Sequence, residues 1–270
     1  MNQPLGVMSV LLLEAAAGGA VVLWASGVWG VVRRGFFLLT GITVALSAWG
    51  AWLTARAGLR GALEAGVNGG LGVPASGAPA RAAMGALLAF ALLLTLWQAL
   101  LLARADRASR PVGLAAAALG LVAIVLVGLA RGQRPFLAIL ELLLGSVFLG
   151  STLVGLLLGH WYLVERRLSN VYMVRSAWWY CLGVVAAVAS AALSAANPLP
   201  QATGFSPFLS VPGFTLYLAG GLVAICALIA GFVWKLAHEG GRSIQAATGM
   251  FYLAVILAFS AELSSKFRFF

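Results

Sequence analysis

Eight separate apolar blocks, each long enough to cross a bilayer, divide this chain of 270 residues, and nearly every charge falls in the gaps between them. A helix rises about 1.5 Å per residue and the hydrocarbon layer is about 30 Å thick, so a crossing takes about 20 mainly apolar residues. The blocks run from Gly6 to Val32, Phe36 to Ala57, Ala82 to Ala103, Val112 to Ala130, Phe136 to Val164, Tyr172 to Ala195, Phe214 to Ala237 and Ile244 to Ser264. Transmembrane β-barrels alternate apolar and polar residues. Continuous runs such as Ala115 to Ala130 do not, so the spans are read as helices. With 62% hydrophobic and 9% charged residues and a mean hydropathy of +1.02, the chain has too little polar surface to coat a water-borne globule. The expected fold is an all-α, polytopic transmembrane helical bundle of eight spans.

Loop charge sets the expected orientation. No Lys or Arg precedes the first span, and no cleavage site is followed by a polar mature domain, so a cleaved signal peptide is not expected. The first basic residues are Arg33 and Arg34, after that span, which favours an outside N-terminus by the positive-inside rule. The inner segments then hold ten of the 17 basic residues and the outer ones seven, with Lys266 and Arg268 among the outer anchors. Eight crossings place both termini on one face of a plasma or inner membrane. The net charge of +10 is scattered over short loops without a continuous stripe, so nucleic acid is not an expected partner and anionic headgroups are.

A shift of about 130 residues relates the two halves of the chain. Glu14 maps to Glu141 at an offset of 127, Arg33-Arg34 to Arg166-Arg167 at 133, and Arg110 to Arg242 at 132. These offsets point to a parallel 4+4 duplication, residues 1–131 and 132–270, with the halves related by an axis along the membrane normal. Small residues at Gly18-Gly19, from Gly150 to Gly159, and at Gly220-Gly221 with Ala224 are expected to form close helix contacts inside the bundle or with another subunit. Cys181 and Cys226 lie inside spans and read as packing residues. The uncharged loop from Asn197 to Gly213, with four prolines, suits the interface or a partner surface.

Three carboxylates fall within or beside spans: Glu14, Glu141 and Glu262. An ionised carboxylate in hydrocarbon costs several kcal/mol, so such groups face protein, a partner or water. Counted from the span ends, Glu14 is about 12 Å and Glu141 about 8 Å deep, with Glu262 at the interface. No basic residue lies within 18 positions of Glu14, so its partner must come from another helix. That makes Glu14 the leading candidate for proton handling or for a polar contact that fixes packing. Few other polar side chains reach the midplane beyond Ser, Thr and Gln98.

The two histidines, His160 and His238, stand near the C-terminal ends of spans five and seven and so approach the same, inner, face. Two imidazoles at one depth could ligate a single b-type haem, with Arg166, Arg167 or Arg242 pairing its propionates. Interfacial histidines that bond headgroups or loop carbonyls are the simpler account. A zinc or copper site has no supporting ligand-pair spacing. Trp178-Trp179-Tyr180 could line a quinone or lipid groove, or simply pack. No Walker, dinucleotide-binding, zinc-protease or nucleophile-elbow motif is present, so catalysis by this chain alone is not expected. Three functional readings remain. The first is a membrane subunit of an electron-transfer or energy-converting complex, anchoring other subunits and holding one haem or contacting quinone. The second is a proton-coupled transporter of a small solute or lipid, using Glu14 and Glu141 between the halves. The third is an assembly protein without a cofactor.

Overall fold

The computed structural model describes residues 3–65, 78–130, 134–165, 167–196 and 213–266, and these form eight long helices. They are α1 (Gln3–Ala25), α2 (Arg34–Ala65), α3 (Ala78–Leu102), α4 (Asp106–Ala130), α5 (Pro135–Val164), α6 (Val171–Ala196), α7 (Phe214–Glu239) and α8 (Ser243–Lys266). All eight are long and apolar enough to cross a membrane, which makes the chain an integral, multi-pass helical bundle. The side of the bundle at which α1 begins and α8 ends is called here the terminal side, and its opposite the turn side. Each span is one of the expected blocks, with ends moved by up to several residues. The expected aromatic loop at 197–212 and Arg166, Arg131 and Arg268 lie outside the described residues.

Two helices form the centre. In their most apolar windows α1 is 78% and α5 72% buried, against 33–44% for the other six. The reason lies in side-chain size. Ala15, Ala16, Ala17 and Ala20 of α1 are all buried, and Gly18 lets the α5 backbone approach until a Cβ there would lie 1.8 Å from the Ser146 carbonyl oxygen. Gly150 of α5 makes the reciprocal approach, its Cβ position 2.2 Å from the Gly18 carbonyl carbon. In lipid, apolar side chains gain little by leaving their neighbours, so such backbone proximity supplies the dispersion contacts that hold helices together. Farther along α5, Gly155 receives Phe251 and Gly159 receives Thr248, both from α8.

The remaining helices follow one order in each half. Helix α1 packs on α2 and α4, with α2 on α3 and α3 on α4; α5 packs on α6 and α8, with α6 on α7 and α7 on α8. The α1–α5 crossing is the main junction between the two sets, with α4–α5 beside it. Interhelical hydrogen bonds among the described residues include the Trp49 indole donating to Thr95 (3.0 Å) between α2 and α3, and the Tyr180 hydroxyl donating to the Cys226 carbonyl (3.0 Å) between α6 and α7. Tyr180 is completely buried. Tyr180→Phe should therefore cost about 0.5–1.5 kcal/mol, read as a small fall in melting temperature in detergent; an unchanged melt would show that this bond adds nothing net.

On the turn side, Arg34 holds Asp106 at 2.9 Å, and Arg33 reaches Glu165 at 3.0 Å, linking the first turn to the end of α5. Arg33 is 79% exposed, so the second pair orients the turn more than it stabilises the fold. Outward faces carry large apolar side chains, among them Leu182, Val185, Leu228, Phe232 and Ile256, as a lipid-facing surface requires. One expectation of packing is corrected here. Among the described residues Gly220 and Gly221 meet nothing within 4 Å, because α7 turns that face away from its neighbours, so of the two expected roles the bundle interior is ruled out and contact with another subunit is not.

Candidate functional site

Glu14 stands at the middle of α1, eleven residues from Gln3 and eleven from Ala25. That is about 16 Å along the axis from either end, deeper than the sequence spacing implies because α1 starts before Gly6. Its side chain is fully buried. Room for the carboxylate comes from Gly145 of α5, where a Cβ would lie 2.6 Å from Glu14 Oε1. The glycine four residues after Glu141 thus seats the carboxylate of Glu14, while the glycine four residues after Glu14 seats the backbone of α5.

The partner that Glu14 requires is Lys266. Its Nζ lies 3.2 Å from Glu14 Oε1, 3.5 Å from Glu141 Oε1 and 3.5 Å from Glu262 Oε2, and the lysine side chain is 0% exposed. One ammonium therefore gathers carboxylates from α1, α5 and α8. Ser265 adds a hydroxyl that donates to the Glu262 backbone carbonyl at 2.9 Å and lies 3.3 Å from Glu262 Oε2. Glu141 and Glu262 are each 4% exposed, so the whole group is shut off from lipid and water alike.

This corrects two expectations. Lys266 is not an outer anchor, and Glu262 is not interfacial; the terminal turn of α8 tucks against α5 and α1 rather than ending at the headgroups. A local signal for part of this exists in the chain, since Glu262 and Lys266 are four apart and so share a helix face. Nothing local indicates that the same lysine reaches Glu14, 252 positions away (266 − 14).

The charge count decides what such a group can do. Three carboxylates converge on one ammonium, and a dry interior tolerates such a group only where its net charge is small. Any charge left over by the ion pairs is met by a bound cation or by a proton. Among the described residues no three His, Cys, Asp or Glu side chains are disposed to hold a metal ion. Protons are the cations that fit without a cage, and carboxylates 3–4 Å from a shared ammonium can pass one among themselves with small movements of the lysine.

The histidines form no comparable group. His160 on α5 lies 3.2 Å through Nδ1 from the Tyr252 hydroxyl, and His238 on α7 donates from Nδ1 to the Trp234 carbonyl at 2.8 Å. Both rings are exposed, and no hydrogen bond or ring contact joins them. Arg167 and Arg242 are exposed. Trp178 packs edge-on against Trp234 with centroids 4.5 Å apart, beside a shallow apolar groove lined by Trp178, Trp179, Cys181, Leu182 and Val185, all of α6.

Compared with family models, with curated proteins and with solved structures, the chain matches none.

Proposed function

We propose that this integral membrane protein is proton-coupled, binding protons at Glu14, Glu141, Glu262 and Lys266 and using their arrival and departure to alter the contact between its halves. The observation that supports this reading is a single buried ammonium shared by three buried carboxylates from α1, α5 and α8. Several carboxylates around one buried lysine give a proton more than one place to sit, which is what a proton carrier requires. Protonation of Glu14 weakens its hold on Lys266, so the end of α8 keeps its tie to α5 through Glu141 and loses the one to α1. Because α1 and α5 are the central crossing, that change acts where the two four-helix sets meet. The matched neighbour order of α1–α4 and α5–α8, together with Glu14-x-x-x-Gly18 and Glu141-x-x-x-Gly145, supports the duplication read from the offsets, with the site beside the pseudo-axis. Proton-coupled movement of a small solute or lipid is the activity most in keeping with such a site.

The test is proton entry into proteoliposomes carrying an internal pH-sensitive dye under an imposed potential. Wild-type protein should acidify the lumen, and Glu14→Gln should lower the rate at least tenfold while leaving the melting temperature within a few degrees. Equal rates for wild type, Glu14→Gln and empty vesicles would reduce the cluster to a packing device. The electron-transfer reading predicts something different. If His160 and His238 ligate a haem, the purified protein will carry a Soret band that either His→Ala substitution removes.

A further inference from the structure

The outward face of α6 runs without a break from the turn-side edge of the bilayer into its apolar layer. Arg175 stands four residues after Val171, where the helix begins, and Trp178, Trp179, Leu182 and Val185 follow along the same side of the helix. Trp178, Leu182 and Val185 are 61%, 51% and 64% exposed. With Trp179 and Cys181 they line an apolar groove of about 320 Å³, partly open on its outer side. From Arg175 to Val185 the helix rises about 15 Å, which is one leaflet's share of a hydrocarbon layer about 30 Å thick.

The end of α7 completes the mouth of this groove. Trp234 meets Trp178 edge-on at 4.5 Å, and the His238 ring lies 4.3 Å from Trp234, one helical turn farther along. Because α6 leaves the turn side and α7 returns to it, Arg175 and His238 both stand between the tryptophan pair and the water. Tryptophans just inside the boundary with polar and cationic groups beyond them are the arrangement of an interfacial belt. The Arg175 guanidinium lies 5.7 Å over the Tyr172 ring, and its Nη1 comes within 2.8 Å of where Gly27 would carry a Cβ, so the first turn leaves it room. Arg33 and Arg34 on the same side are held by Glu165 and Asp106, whereas Arg175 is exposed and pairs with no carboxylate among the described residues. On the turn-side ends of α6 and α7, Arg175 and Lys235 outweigh Glu239, whose carboxylate accepts from the Ser243 hydroxyl.

A positive rim, a tryptophan collar and one leaflet's length of apolar groove call for a molecule with an anion at one end and a hydrocarbon chain at the other. A quinone brings no anion to Arg175. A second copy of this chain, related by an axis along the membrane normal, would set its own Arg175 and Lys235 against these at the same depth, like charge against like. We propose that this face of α6 binds one anionic phospholipid, its phosphate at Arg175 and one acyl chain along Trp178, Trp179, Leu182 and Val185. The site is separate from Glu14 and Lys266 and does not rest on the proton reading.

The test is a titration of delipidated, full-length protein in detergent with dioleoylphosphatidylglycerol and, separately, dioleoylphosphatidylcholine. Native mass spectrometry counts the bound lipids and the melting temperature follows saturation. Wild-type protein should take up a first phosphatidylglycerol at a concentration at least tenfold below that needed for phosphatidylcholine, and its melting temperature should rise. Arg175→Gln should remove that preference, and Arg175→Lys should keep most of it. Val185→Trp, an exposed substitution that fills the groove, should weaken the first phosphatidylglycerol at least tenfold and serves if Arg175→Gln fails to fold. Equal uptake of the two lipids by wild type, or wild-type affinity in Arg175→Gln or in Val185→Trp, would overturn the proposal and leave ordinary annular lipid on α6. A dimer mass without lipid that Val185→Trp abolishes would also overturn it, because a second copy would then be the occupant. Glu14→Gln should bind phosphatidylglycerol as wild type does, so this result stands or falls apart from proton entry.

Discussion

Lys266→Met is expected to destabilise the folded protein by about 3–5 kcal/mol, the usual consequence of removing one partner from a buried ionic group. The substitution keeps the length and apolar stem of the side chain, so lost volume is not the cause. What remains is three buried carboxylates from α1, α5 and α8 that have lost the ammonium at 3.2–3.5 Å. They must then take up protons or move apart, and the α1–α5 crossing limits how far they can move. Chemical unfolding in mixed micelles, at a pH above the ordinary carboxylate range, should show the loss. Adding Glu14→Gln to Lys266→Met should recover a large part of it, because one of the orphaned charges is gone. If the single substitution leaves stability unchanged, the ammonium is not compensating these carboxylates, and the proton-coupled reading loses its basis.

Gly18→Val should be at least as damaging, through a different physical cause. A Cβ at residue 18 would sit 1.8 Å from the Ser146 carbonyl oxygen and 3.2 Å from Gly150 Cα, so the clash is with main chain that cannot rotate away. Overpacking typically costs about 1–3 kcal/mol where side chains can adjust; here α1 and α5 must separate, which also draws Glu14 away from its seat at Gly145. The expected outcome is little folded protein after extraction, or an early melt together with lost proton entry. Gly220→Ala should do the opposite. With nothing among the described residues within 4 Å of its Cβ position, the change gains helix propensity without a steric clash there and should leave the melt equal or slightly higher. Equal tolerance at residues 18 and 220 would contradict the close crossing of α1 and α5.

The contrast between those two glycines shows where reading along the chain stops. Gly18-Gly19 and Gly220-Gly221 look alike in sequence, and both invite a close contact. One pair lies on the most buried helix and the other on a face of α7 that meets no neighbour, and only the arrangement of helices separates them. Lys266 makes the same point for charge. Two residues from Arg268 and close to the end of the chain, it has the local pattern of an interfacial anchor. Its fate was decided by α8 packing against α5 and by Glu14 waiting without a cation in α1.

The need of Glu14 for a partner, by contrast, was legible from spacing alone, since no basic residue could reach it along its own helix. The offset between Glu14 and Glu141 likewise singled out two of the three carboxylates that the fold brings to one ammonium. Arg175 carries no such signal. An arginine near the start of a span reads like any other interfacial anchor until its neighbours are traced, and only the tertiary structure shows Gly27 of the first turn leaving room for its guanidinium.

The number of crossings and their helical character are properties of single segments: about 20 apolar residues must satisfy their own backbone bonds inside lipid, whatever surrounds them. Those the sequence determined by itself. Which helices lie at the centre, which glycines bear on a neighbour, and which carboxylates share Lys266 depend on contacts between residues more than a hundred positions apart. In a bilayer such contacts are chosen by shape and by the pairing of buried charge, because greasy surfaces gain nothing from preferring one another to lipid. Only the assembled bundle could decide them.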